Sequence, residues 1–209
     1  MDNVLEVYAR PYDPKHPYIC LDEKTLQLLA EVHDPLEMAP GQILKVDSEY
    51  ERRGTAAMFV ITETQTGRCA VSVRAHRTDA DFAEVVANVS DTLYPDAEDV
   101  TIVLDNLNTH TLGSLDKRYT KGKADRIADR IKLVYTPVHG SWVNLVAENQ
   151  ISIFSKQCLT RRIDDLKMLR TNMRTWVRRR NRNPKPVKWK FSKADARLKL
   201  PQIYPLEAA

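Results

Sequence analysis

Two short stretches restrict the fold more than anything else in this chain: Ile19-Cys20-Leu21-Asp22 and Ile102-Val103-Leu104-Asp105. Each is an apolar run, too short for a helix, that stops at a carboxylate. Such runs read as buried strands with the acid just beyond the covered part. The first opens at Pro17-Tyr18 and ends at Asp22-Glu23; the second opens at Val100-Thr101. Thr25 to Val32 fits either a strand continuation or a helical turn. Ile43-Leu44-Lys45-Val46, Thr55 to Thr62 and Arg68 to Ala75 are further strand candidates, the last two joined by the turn Glu63-Thr64-Gln65-Thr66-Gly67. The period then changes. Thr78 to Leu93 sets Phe82, Val85, Val86, Val89 and Leu93 on one helical face, with Thr78 or Asp79 as its cap. An exposed polar helix over Asp116 to Arg130, a strand over Lys132 to Thr136 and helices over Asn144 to Cys158 and Asp164 to Arg180 follow. Early hairpin-like strands followed by β/α alternation predict an α/β fold, a mixed β-sheet flanked by helices. Residues 1–16 are polar and punctuated by Pro11 and Pro14, so they read as an arm. Trp189 and Phe191 in the tail are expected to pack back onto the body.

Charge divides the chain. Residues 151–209 carry 16 Lys/Arg against 4 Asp/Glu, and residues 1–150 carry 16 against 24. An acidic body suits cations, and a basic C-terminal part suits a polyanion such as nucleic acid; a solvated basic helix is the plainer alternative. The longest apolar run, Ala56 to Ile61, is six residues, far short of a membrane span, and no secretory signal opens the chain. Cys20, Cys69 and Cys158 form no CxxC pair, which supports neither a zinc ribbon nor a disulfide framework. A reducing cytoplasm is the expected location.

If the two acid-ended strands are parallel neighbours, Asp22 and Asp105 meet at one sheet edge, where open α/β sheets hold ligands. Two close carboxylates require a cation or a shared proton. Oxygen-only ligands favour Mg²⁺ or Mn²⁺, and Glu148, near the start of a helix, completes a set able to hold two ions. Strand-end aspartates also serve as caps and turn residues, and spacing alone does not choose between these roles.

Val103-Leu104-Asp105-Asn106-Leu107-Asn108-Thr109-His110-Thr111 resembles the second-aspartate motif of DDE transposases, and Ile19-Cys20-Leu21-Asp22-Glu23 the first. Tyr135-Thr136-Pro137-Val138-His139-Gly140-Ser141-Trp142-Val143-Asn144 with Ala147-Glu148-Asn149 resembles the third-acid motif. Ser152 to Leu159, Arg52 to Ala56 and Ala194 to Arg197 fit the same pattern, so the resemblance runs from about Tyr18 to Tyr204. Its nearest form is the bacterial insertion-sequence branch of the mariner superfamily, the insertion-sequence 630 type. The resemblance implies a ribonuclease-H-like fold over 17–205, with the basic helical part at 151–205. It implies Asp22, Asp105 and Glu148 as catalytic, metal-holding acids and Mg²⁺ as cofactor, with Mn²⁺ as substitute and two ions as the expected number. The implied reaction is cleavage of DNA at transposon ends and strand transfer into target DNA. DNA is then the partner, a homodimer brings two ends together, and the chain is bacterial and nucleoid-associated. Transposases of this branch carry a helix-turn-helix region, which is not seen here, so a separate DNA-recognition chain is a further expected partner. Asn144 and Glu148 stand four apart where the family pattern has three. One extra residue turns a helix by about 100°. Either the helix starts later, or Glu148 faces away and the chain is an inactive relic or truncated fragment that binds without catalysis.

Asn106, Asn108 and His110 follow the second aspartate and suit a role in orienting the metal's ligands, or simple loop hydrogen bonding. Glu23 alternates to the opposite strand face from Asp22 and reads as a non-ligand. Trp142 reads as a packing anchor. Arg170, Arg174 and Arg178 recur every four residues, and Arg179, Arg180 and Arg182 extend them, a stripe suited to a phosphate backbone.

Overall fold

The computed structural model describes residues 1–33, 40–41, 48–137 and 144–200. Its centre is a five-stranded sheet of order β3-β2-β1-β4-β5. Strands β1 (Tyr18–Glu31), β2 (Tyr50–Glu63) and β3 (Cys69–Arg74) form an antiparallel meander. Strands β4 (Val100–Leu104) and β5 (Ile131–Tyr135) add in parallel on the other side of β1. This is the expected ribonuclease-H-like mixed sheet. The undecided stretch after Asp22 is strand: β1 continues to Glu31 because β2 pairs with it along its whole length. Asp22 therefore lies within a strand and not at its end. What stops there is the pairing with β4, whose last partners are Cys20 and Val103. The strand candidate at Ile43–Val46 lies outside the described residues.

Alternation along the central strands feeds two separate cores. Ile19, Leu21, Phe59, Ile61, Ile102 and Leu104 face α2 (Asp79–Asn88), α3 (Gly113–Arg118) and α4 (Lys121–Arg130). Met58, Val60 and Val73 face α5 (Leu145–Cys158) and α6 (Leu166–Arg180), where Phe154, Leu169, Met173 and Trp176 cover them. Thr78 caps α2 in a reciprocal capping box with Asp81, and a π-helical turn, Val89–Leu93, continues it. The single polar helix expected over Asp116 to Arg130 is instead two, broken at Tyr119 and Thr120, whose extended backbones interrupt the ladder.

The expected N-terminal arm is also different. Asp2–Ala9 forms α1, with Val4, Leu5, Val7 and Tyr8 buried. Its apolar spacing of three and four was masked by the prolines that follow. Tyr8 packs at a tilt against Trp189, ring centroids 4.6 Å apart, so the tail does pack back, and α7 (Lys193–Lys199) lies beside it.

At Cys69 the outer edge of β3 is covered by one side chain. Asn181, just past α6, accepts from Cys69 N at 3.0 Å and donates to Cys69 O at 2.8 Å, imitating a paired strand. Gly67 in the preceding turn has φ +75°, and a Cβ there would meet the Lys185 backbone at 2.2 Å. Asn181→Ala strands both Cys69 backbone groups at a buried position. It is expected to cost about 1–3 kcal/mol, read as a lower urea midpoint with an unchanged slope.

Candidate active site

The site is built where β1 and β4 part. Asp22 is two residues beyond Cys20, and Asp105 two beyond Val103, the last residues paired across the two strands. Cys20 and Val103 pack under Val146 and Ala147 of α5, so Asp22 shares the α5 side of the sheet. Its Oδ1 accepts from the Glu23 amide at 2.7 Å. Burial pushes the Asp22 carboxyl up to about 6, the amide bond opposes this, and repulsion from Asp105, Glu148 and Glu23 adds to it. Asp22 is thus close enough to three other acids to feel their charge.

Glu148 owes that position to the way α5 begins. Asn144 is the residue before the helix, buried at 2% exposure, and its Nδ2 donates to the Leu21 carbonyl at 3.0 Å. That bond pins the helix start one residue upstream of Asp22. Glu148 then falls in the first turn of α5, half-buried, and its charge reaches Asp22. His139 and Trp142 lie outside the described residues.

Asp105 is held from behind. Its Oδ1 accepts from His110 Nδ1 at 2.7 Å and, more weakly, from Leu107 N at 3.4 Å. The other ring nitrogen of His110 meets Glu23 Oε1 at 2.8 Å. Burial alone would lower the His110 pKa, but the bonds to Asp105 and Glu23 outweigh it and raise it to about 9. The same His110 bond holds Asp105 below the usual carboxylate range. Phe82 stacks on the imidazole at 4.7 Å, and the Tyr135 hydroxyl donates to the His110 carbonyl at 2.6 Å. Asn106 donates through Nδ2 to the Thr136 carbonyl, tying the loop after β4 to the end of β5. Asn108 is exposed and makes no hydrogen bond among the described residues. Among these residues, no three His, Cys, Asp or Glu side chains are grouped closely enough, as they stand, to hold a metal ion.

Residues 17–170 match the family model described as DDE superfamily endonuclease. The chain belongs to that family. No curated protein matches the sequence. Solved structures similar to this DDE endonuclease domain include the mariner Mos1 paired end complex with Mg, at 13% identity and a TM-score of 0.58, over 88% of this chain and 55% of that one. The Mos1 strand transfer complex matches at 13% identity and a TM-score of 0.56, over 85% and 52%. The chain thus spans about half the length of these structures, and the likeness is one of fold.

The basic residues of this DDE domain are not one stripe. At 100° per residue, Arg178, Arg179 and Arg180 fan around α6. Arg170 and Arg174 lie on the flank toward β3, where they line a cleft with Ser72 and Arg74, and Arg170 Nε reaches the Val73 carbonyl at 3.4 Å. Arg179 lies on the opposite flank with Asn172 and Thr175, lining a groove with Arg161. Arg180 sits on the same side as Leu169, Met173 and Trp176, only partly exposed, with its Nε buried. It leaves the stripe, and its charge acts on Cys69 instead. Arg174, Arg178, Arg179 and Arg182 are exposed and form no ion pair among the described residues. Sequence reading gave Glu23 as a non-ligand and did not foresee its bond to His110. The signal for it was an acid at a position that alternates with the buried Ile19 and Leu21.

Proposed function

We propose that this chain is the catalytic domain of an insertion-sequence transposase of the 630 type, which cleaves DNA at transposon ends and joins them to target DNA. The observation that carries the reading is that Asp22 and Asp105 stand at matching positions just beyond the last pair of two adjacent parallel strands, with the charges of Asp105 and Glu148 acting on Asp22. The donor chemistry fits a divalent ion. All three candidate ligands are carboxylates, the preferred donors of Mg²⁺ and Mn²⁺, and the repulsion that adds to burial in raising the Asp22 pKa is what a cation among them would relieve. When bound, a metal pair activates the attacking oxygen and steadies the leaving oxygen of a phosphodiester.

The chain's own residues supply the rest. Asp22 and Asp105 hold the ions, with Glu148 closing the set from α5. His110 keeps Asp105 ionised, and Asn106 fixes the loop on which both stand. Asn108, exposed at the rim, is available to the scissile strand. Arg170, Arg174, Arg178, Arg179 and Arg182 contact DNA phosphates, each neutralised phosphate steepening the salt dependence of binding. DNA is the substrate, a homodimer brings two ends together, and a separate chain or segment reads the terminal sequence in the bacterial nucleoid. No described helix is long and apolar enough to cross a membrane.

Nicking of supercoiled plasmid tests this without knowledge of the terminal sequences. Nicking is expected with Mn²⁺ or Mg²⁺, none with EDTA, and none by Asp105→Ala with either metal. Nicking that persists in Asp105→Ala would reject the assignment, and a wild-type chain that binds DNA but never nicks would mark an inactive relic.

A further inference from the structure

An acid stands where the fold asks for an apolar residue. Glu23 alternates with Ile19 and Leu21 on the sheet face covered by α2, and its side chain is only 9% exposed. One carboxylate oxygen, Oε2, is buried with no hydrogen-bond partner. Burying a carboxylate this way costs stability that a leucine would not. What the position gains is a grip on His110, itself 2% exposed. Each ring nitrogen of His110 has a carboxylate oxygen within reach, Glu23 at 2.8 Å and Asp105 at 2.7 Å. Carboxylates accept only, so both ring nitrogens donate and the imidazole is clamped at its two ends. Phe82 stacks on its face and removes the remaining freedom to tilt.

The outcome is visible at Asp105. Its side chain is 46% exposed, and its Oδ1 is engaged by His110 and the Leu107 amide. Its other oxygen makes no hydrogen bond among the described residues. We infer that Glu23 is a positioning residue: through His110 it dictates which oxygen of Asp105 the protein holds and which is left to a divalent cation. The inference rests on the reading of Asp105 as a metal-holding acid. It explains why a residue that touches no ion occupies a costly buried site. Partners that orient a ligand from behind commonly carry a 10–100-fold share of metal affinity.

The test separates position from packing. Glu23→Leu keeps the volume and suits the apolar face but offers His110 no acceptor. Glu23→Gln keeps the shape and one acceptor. Mn²⁺ affinity is measured by electron paramagnetic resonance of the free ion, on the full chain, beside melting temperature. Ring N–H signals of His110 are followed by NMR after ¹⁵N-histidine labelling. Glu23→Leu is expected to bind Mn²⁺ about 10–100-fold more weakly and to lose the hydrogen-bonded Nε2–H signal. Glu23→Gln is expected to stay within about threefold of wild type. His110→Gln, which cuts the same chain one link nearer, is expected to match Glu23→Leu, and adding Glu23→Leu to it should change nothing further. Equal losses in both Glu23 variants, or Mn²⁺ affinity unmoved by either, would overturn the inference alone. A wild-type chain with both ring signals intact but no Mn²⁺ binding would overturn the metal assignment as well.

Discussion

Asp22→Asn is expected to abolish metal-dependent nicking and, at the same time, to make the metal-free protein more stable at pH 8. The loss is expected to exceed a hundredfold, because removing a partner behind a metal ligand already costs about 10–100-fold and Asp22 is proposed as a ligand itself. The gain follows from linkage. Burial first, then repulsion from Asp105, Glu148 and Glu23, moves the Asp22 pKa from 3.8 up to about 6. The folded state therefore holds this proton more tightly than the unfolded state does. The stability so contributed is full below pH 3.8 and gone once the pH has risen through 6. Above that, the native state carries a charge it disfavours, and asparagine removes it. The full shift corresponds to ~3 kcal/mol. Solvent access to the site reduces this to about 1–2 kcal/mol, a rise in melting temperature of roughly 2–8 °C. The advantage should vanish near pH 4, where the wild-type residue is protonated anyway. Asp105→Asn must behave oppositely, since its bond from His110 holds its pKa down and stabilises the native state at neutral pH. Melting curves of the two variants at pH 4 and pH 8, without metal, check the pair of signs. Two variants that both lose stability at pH 8 would mean that Asp22 is an ordinary buried partner.

The sign difference between two neighbouring aspartates was not legible in the sequence. Both follow apolar runs of the same kind, and spacing treats them alike. They differ in what lies behind them. Asp105 backs onto His110, five residues on, whose ring is fixed by Glu23 from a different strand. Asp22 backs onto an amide and faces other acids. Much else was readable. The strand runs, the Thr78 cap and the Gly67 turn all follow from local chemistry. The continuation of β1 stayed open between strand and helical turn, because Leu26, Leu28 and Leu29 fit both periods; the pairing with β2 is what decides it. Helix α1 was hidden for a related reason. Its buried face counts only once distant residues are there to meet it, Tyr18, Cys20 and Val103 of the sheet and Trp189 near the other end of the chain. Arg170, Arg174 and Arg178 keep to one flank at about 40° steps, but three consecutive arginines cannot share a helix face, and the charge of Arg180 acts on Cys69.

Phe82→Ala is expected to be the most damaging single substitution in the α2 layer, and the damage should reach the acids. Phe82 is fully buried, and it belongs to the core that joins α2 to Ile19, Leu21 and Ile102 of the sheet. Truncation of a buried phenylalanine costs about 3–5 kcal/mol, the lost transfer energy plus the cavity left behind. That is a large fraction of the roughly 5–15 kcal/mol a domain has to lose. Phe82 also stacks on the His110 ring at 4.7 Å, so the cavity opens directly beside the imidazole that holds Asp105. A ring free to tilt no longer presents both nitrogens to Glu23 and Asp105 together. Phe82→Leu refills most of the volume and is expected to recover all but about 1–1.5 kcal/mol of stability. It leaves out the flat contact with the ring. Nicking by Phe82→Leu should therefore fall several-fold more than its stability loss explains, measured at a temperature where the variant is fully folded. If Phe82→Leu nicks like wild type once folded, the ring contact is packing alone. The core residue and the active-site loop would then be energetically separate, despite their contact.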